Sequence, residues 1–184
     1  DGVTVDMRSY LAGLKELIGE ENFVEKEIAD ISEIEGMKVI AAGASIKELM
    51  DMPNLMYRKG QQYKGRKKVK RPEYGSIVGR GHISFLEGDE ICLGSTYETE
   101  FSTDKVDEEY ADREKKKKME PWLESLDGVE EKEFVSGVRV GQDTTYLPLV
   151  KRMDESTYVY TALGSRGLLY HAYYGKILAD KIGL

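Results

Sequence analysis

The chain has 184 residues, 40% of them hydrophobic and 33% charged, a soluble globular composition with enough apolar material for a sizeable core. That length suits one domain, or two small lobes sharing a core. A net charge of −7 weighs against nonspecific nucleic-acid binding, which needs an electropositive footprint, but leaves small anionic substrates open.

Cys92 is the single cysteine, so no internal disulfide can form and a reduced, cytoplasmic setting is expected. No apolar run reaches membrane-spanning length, and no signal-peptide pattern opens the chain. The opening Asp1-Gly2, without Met, reads as an excised or processed piece.

Residues 5–19 carry Met7, Tyr10, Leu11, Leu14, Leu17 and Ile18 at helical spacing, with Asp6 as N-cap and Gly19 as stop. Phe23–Ile28 alternates like a strand, and Ile31 and Ile34 continue an extended stretch. The apolar run 37–43 reads as a buried strand ending in a tight turn at Gly43. A short helix over 44–50 follows, stopped before Pro53. Residues 55–63 resume as a strand interrupted by Gly60. The basic run from Lys64 to Arg71 reads as a solvated loop.

Residues 76–86 and 90–97 form two predicted strands joined by the turn Glu87-Gly88-Asp89. Residues 104–126 read as one long charged helix, capped by Asp104 or Ser102 and kinked at Pro121. Its run Lys115–Lys118 is expected on a solvated face. Strands are then expected over 131–140, 146–150 and 158–163, with a turn over 141–145, and a final helix over 167–182. Hairpins dominate the middle, so the expected class is α+β: a mostly antiparallel sheet with flanking helices.

The closing strand, glycine turn and helix carry the strongest chemical signal. A helix start offers unpaired N–H groups and a positive dipole end, Gly164 and Gly167 allow close approach, and Arg166 adds charge. Read from the residues alone, an ordinary tight turn with a surface arginine is the favoured explanation. His82 and His171 lack clustered carboxylates or cysteines, so no metal site is expected. Tyr97, Tyr170, Tyr173 and Tyr174 are candidates for a cavity wall, although tyrosines at this density more often serve packing.

Leu163-Gly164-Ser165-Arg166-Gly167-Leu168 resembles the terminal motif of the D-amino-acid-oxidase (DAO) superfamily of FAD-dependent oxidoreductases, with its glycine-oxidase, sarcosine-oxidase and MnmC-like members. Other segments resemble the family's motifs in the family's order: Val39–Ala44, Arg58-Lys59-Gly60-Gln61, Ile91–Glu98, and Gly137-Val138-Arg139 with Asp143, Leu147 and Pro148. The sequence departs from the pattern at Lys59, which separates Arg58 from Gly60, and at Val140, where many members have proline.

The resemblance implies that Gly164, Ser165, Arg166, Gly167 and Leu168 line the flavin, where a positive helix end would stabilise charge near N1 and O2. It also implies that Arg139 pairs with a substrate carboxylate through two parallel hydrogen bonds. Tyr97 is a second substrate-side candidate. The expected lobes are 58–138 for substrate, and 1–57 with 139–184 as partial FAD-lobe segments.

The family's Gly-x-Gly-x-x-Gly pyrophosphate loop does not occur in these residues; Gly79-Arg80-Gly81 is followed by no third glycine at the required spacing. The resemblance therefore implies a fragment, inactive alone, of a parent that transfers a hydride from an amino acid or secondary amine to FAD. FAD would belong to the parent and be absent from this chain. A non-catalytic binding or interaction module derived from the substrate lobe is the alternative. Nucleic acid is expected as a partner only in the form of tRNA, if the MnmC-like spelling holds, and the fragment is expected to dimerise.

Overall fold

The computed structural model describes residues 5–67, 75–86, 88–119 and 129–184. The fold is mixed α+β, with antiparallel pairing dominant and helices flanking two sheets. The chain divides into two compact units: residues 1–26, 60–97 and 103–136, and residues 27–59, 98–102 and 137–184.

The first unit opens with helix α1, Met7–Ile18. The Asp6 carboxylate accepts the Arg8 N–H at 3.0 Å, and Gly19 at φ 89° ends the helix, so both predicted stops are used. Strands β2 (Leu55–Arg66), β3 (Ser76–Val78), β4 (His82–Phe85), β5 (Glu90–Gly94) and β6 (Glu130–Gln142) form a sheet in the order β3-β4-β5-β2-β6. The chain passes between the units within β2 and β6.

Strand alternation gives this sheet two unlike faces. Tyr63, Ile83, Ile91 and Leu93 pack with Val129 into a core, joined by Phe85 and Phe134. The opposite positions in register are Gln62, Gly94 and His82, then Lys64, Cys92 and Ser84. Helix α3, Glu108–Met119, also belongs to this unit, with Ala111 buried.

The second unit holds a three-stranded sheet of β1 (Lys38–Ile40), β8 (Thr157–Thr161) and β7 (Leu149–Arg152), in the order β1-β8-β7. Strand β1 runs parallel to β8, with Ile40 opposite Val159, and β7 runs antiparallel to it. Ile40, Val159 and Ile46 of the short helix α2 (Ile46–Leu49) form its core, with Ile31, Ile34, Leu49 and Leu55 packed against them. Helix α4 spans Gly167–Ile182, matching its predicted span.

Several local expectations are corrected. Phe23–Ile28 forms no strand, and its Glu25-Lys26-Glu27 run breaks the expected alternation. Ile31–Glu33 is a 3-10 turn rather than extended chain, because Asp30 and Glu33 close a capping box around it. Strand β2 runs on to Arg66, into the stretch expected as loop. The expected strand 76–86 is two strands, and Gly79–Gly81 is the hairpin turn between them, with the Gly79 N–H donating to the Gly81 carbonyl at 2.8 Å. Helix α3 begins at Glu108, and Asp107, rather than Asp104 or Ser102, accepts the Tyr110 N–H at 3.0 Å. The kink expected at Pro121, the part of the expected 104–126 helix beyond residue 119, and residues 68–71 of the basic run 64–71 lie outside the described residues.

The lysine run of α3 is only half solvated. Lys115 lies over the Tyr63 ring, 4.5 Å from its centroid, and pairs with Asp112. Lys118 Nζ donates to the Ser95 carbonyl at 2.7 Å. A long aliphatic stem lets a cation at a core-adjacent helix position cover apolar surface and still reach a polar partner.

Candidate flavin-facing site

The second unit uses one backbone device twice. Parallel strands β1 and β8 leave their sheet at the same end. After each come two linking residues, a glycine with positive φ, a 3-10 turn and an α-helix. The first copy is Ala41, Ala42, Gly43 (φ 56°) and the turn Gly43–Ser45 into α2. The second is Ala162, Leu163, Gly164 (φ 58°) and the turn Gly164–Arg166 into α4. Sites in α/β sheets lie outside the carboxyl ends of parallel strands, where such turns gather.

Both glycines face open space. A Cβ built on Gly43 meets nothing within 4 Å, and one built on Gly164 meets only the Val140 carbonyl oxygen, at 3.9 Å. Their φ angles, rather than crowding, require glycine. Gly167 differs: its φ is −53°, and a Cβ there would stand 3.4 Å from the Leu163 Cβ.

The start of α4 has no side-chain cap. Its first-turn N–H groups thus receive no capping side chain, at the positive end of a 16-residue helix. Ser165, Arg166 and Leu168 are exposed, and Gly164 and Gly167 half-buried. Two tyrosine hydroxyls tie α4 to β8: Tyr160 donates to the His171 carbonyl at 2.7 Å, and Tyr158 to that of Lys181 at 3.3 Å. Burial pushes the Tyr160 phenol above its ordinary range, so it remains a donor. His171 Nδ1 lies 2.8 Å from the Leu168 carbonyl and 3.2 Å from that of Gly167, so this histidine serves its own helix. Tyr170, Tyr173 and Tyr174 stack edge to face on α4.

Arg139 is half-buried on β6, one residue before Val140, whose carbonyl faces Gly164. Val140 is buried inside this strand. The loop beyond is closed by Gln142, whose amide donates to the Leu147 carbonyl at 2.7 Å, and the Asp143 N–H donates to the Asn54 carbonyl at 3.2 Å. The fold therefore brings the Arg139 segment and the Gly164 turn together within one unit. Tyr97 belongs to the other unit, exposed at 59% just past the end of β5.

Three buried polar residues near that strand end lie in motifs that the sequence reading quoted without giving these side chains a role. Lys59 is 3% exposed and pairs with Glu98 at 3.8 Å; Gln61 and Thr96 are 2% and 4% exposed. The available signal was a lysine followed by Gly-Gln inside a run that otherwise reads as strand. Among the described residues, no group of three or more His, Cys, Asp or Glu could hold a metal ion, and no helix is long and apolar enough to cross a membrane.

Residues 2–181 match the family described as DAO, FAD dependent oxidoreductase. The chain belongs to the DAO family. Among solved structures it is similar to glycine oxidase from Bacillus cereus, with TM-score 0.64 and 20% identity over 77% of this chain and 41% of that one. It is also similar to iminodiacetate oxidase from a Chelativorans species, with TM-score 0.63 and 16% identity over 79% and 42%. Glycine oxidase from Geobacillus kaustophilus gives TM-score 0.61 and 19% identity over 77% and 40%. The chain thus spans about two-fifths of the length of these enzymes. No sequence among curated proteins matches it.

The family's cofactor is FAD, and the second unit offers features that suit one face of it: two open glycine turns at parallel strand ends and an uncapped helix start. The pyrophosphate loop is not among these 184 residues.

Proposed function

We propose that this chain supplies one wall of the flavin site, together with substrate-side residues, of an FAD-dependent amino-acid or amine oxidoreductase. Gly164, Ser165, Arg166, Gly167 and Leu168 face the flavin. Arg139 pairs with a substrate carboxylate, and Tyr97 is a second substrate-side candidate. The observation that carries this reading is the repeated glycine turn at the carboxyl ends of β1 and β8, open in front of both glycines.

The chemistry that bound FAD would supply is acceptance of a hydride from the carbon beside the substrate nitrogen. The protein's part is binding and orientation. The dipole of α4 and the charge of Arg166 favour negative charge in front of the turn. The guanidinium of Arg139 offers parallel donors that orient a carboxylate. Glycine and iminodiacetate, named for the similar structures, are both amino-carboxylates, which supports a carboxylate partner for Arg139. Without the pyrophosphate loop, most of the affinity for FAD is expected from outside these residues.

The test is a titration of the complete reading frame with FAD, following flavin absorbance and fluorescence. Near-stoichiometric binding is expected, weakened by Gly164→Val. Absence of flavin binding by the complete protein would sink this reading.

A further inference from the structure

The ladder between β2 and β5 changes register where β5 ends. Gln62 pairs with Gly94, and the next bridge is Lys59 with Glu98. Between these pairs β2 spends two residues, Gly60 and Gln61, while the other segment spends three, Ser95, Thr96 and Tyr97. One extra residue is a β-bulge, which breaks the ladder locally and re-aims the side chains that follow.

Each backbone group described here finds a substitute partner, as buried amides and carbonyls must. The Gln61 N–H donates to the Thr96 hydroxyl at 2.8 Å, and the Thr96 N–H to the Gln61 carbonyl at 3.0 Å. The Ser95 carbonyl accepts from Lys118 Nζ at 2.7 Å, in the last turn of α3. The Gln61 side-chain oxygen accepts the Asp107 N–H at 2.7 Å, at the start of α3. Helix α3 is therefore tied to the bulge at both ends. Just before it, Gly94 is clamped: a Cβ there would fall 2.9 Å from Gln62 Cγ and 3.0 Å from His82 Cε1. Out of this anchored segment, with Thr96 at 4% exposure, Tyr97 emerges at 59%.

We infer that Lys118 is a positioning residue for Tyr97, acting through the Ser95 carbonyl, with Gln61 fixing the opposite side of the bulge. The functional half of the inference rests on Tyr97 being a substrate contact, as proposed above; the structural half does not. A lysine at the end of a surface helix thus bears on substrate binding without touching substrate. The hydrogen bond needs an N–H donor on a long side chain, so arginine can replace lysine and methionine cannot.

The test uses the complete protein with 3-fluorotyrosine incorporated at position 97. Lys118→Met is expected to shift or broaden the Tyr97 fluorine resonance, and Lys118→Arg to restore it. In the flavin-loaded protein, with glycine and iminodiacetate as probes, Lys118→Met is expected to raise KM about tenfold, the weight of roughly one hydrogen bond. The kcat and FAD affinity should stay unchanged, and Tyr97→Ala should raise KM without adding to the Lys118→Met effect. A fluorine signal and KM both indifferent to Lys118→Met overturn the inference. A resonance that moves while Tyr97→Ala leaves KM unchanged upholds the positioning and overturns the substrate contact. If the complete protein binds no FAD, the proposed function fails, and the fluorine spectra alone decide the positioning.

Discussion

Replacing Gly164 by alanine probes the turn before any cofactor is involved. At φ 58° an L-residue brings its Cβ against its own backbone, which costs roughly 1–2 kcal/mol. Packing adds almost nothing, since the new Cβ would meet only the Val140 oxygen at an ordinary 3.9 Å. Alanine's smaller unfolded-state entropy returns roughly 0.4–1 kcal/mol. The net expectation is a loss of about 0–1.6 kcal/mol, centred near 0.8. Gly43→Ala should behave the same, with φ 56° and nothing within 4 Å. Gly167→Ala should be near neutral, because its φ is already helical, it stands at the first position of α4, and the new Cβ would meet the Leu163 Cβ at the edge of ordinary contact, 3.4 Å. The assay is urea unfolding followed by circular dichroism, comparing midpoints at constant slope. Equal effects at positions 164 and 167 would refute the assignment of the left-handed turn. A loss above about 4 kcal/mol at 164 would refute the open space before it, because that size requires a core clash.

The buried pair Lys59–Glu98 predicts that Lys59→Met costs about 3 kcal/mol by leaving Glu98 without its cation, while Lys59→Met with Glu98→Leu recovers most of it; a double-mutant unfolding cycle measures both. Hydrogen bonds from Lys115 and Lys116 hold Asp112 below the usual carboxylate range. Its contribution is therefore present above the unfolded-state pKa, near 3.9, and lost as pH falls through the lower folded value; in acid unfolding, Asp112→Asn should flatten that loss, under about 1 kcal/mol for so exposed a pair. Burial and the neighbouring Asp112 push Tyr63 up to about 12. Its folded state holds the proton more tightly, so stability falls as pH rises from about 10 toward that value; ultraviolet titration should show a late-titrating tyrosine near that value which Tyr63→Phe removes.

Helices α1 and α4 were legible because their signals are local. Asp6 and Gly19 cap one, and glycine permits the sharp entry to the other. The ordered motifs resemble the family's, and two of their glycines, Gly43 and Gly164, hold positive φ angles that favour glycine. The strand expected over Phe23–Ile28 misled because its pattern breaks at Glu25-Lys26-Glu27 and a strand requires a partner, which local pattern cannot supply.

The sequence by itself determined the α+β class, the terminal helix, the Gly164 turn and the resemblance to flavin-dependent oxidoreductases, through propensity, patterning and residue order. Only the tertiary structure decided that β1 and β8 lie parallel and present twin turns, that Val140 brings the Arg139 segment beside Gly164, and that Lys118 holds the bulge before Tyr97. These relations join residues far apart in the chain. They depend on register, on one extra residue in a ladder and on the reach of long side chains, none of which a local pattern encodes.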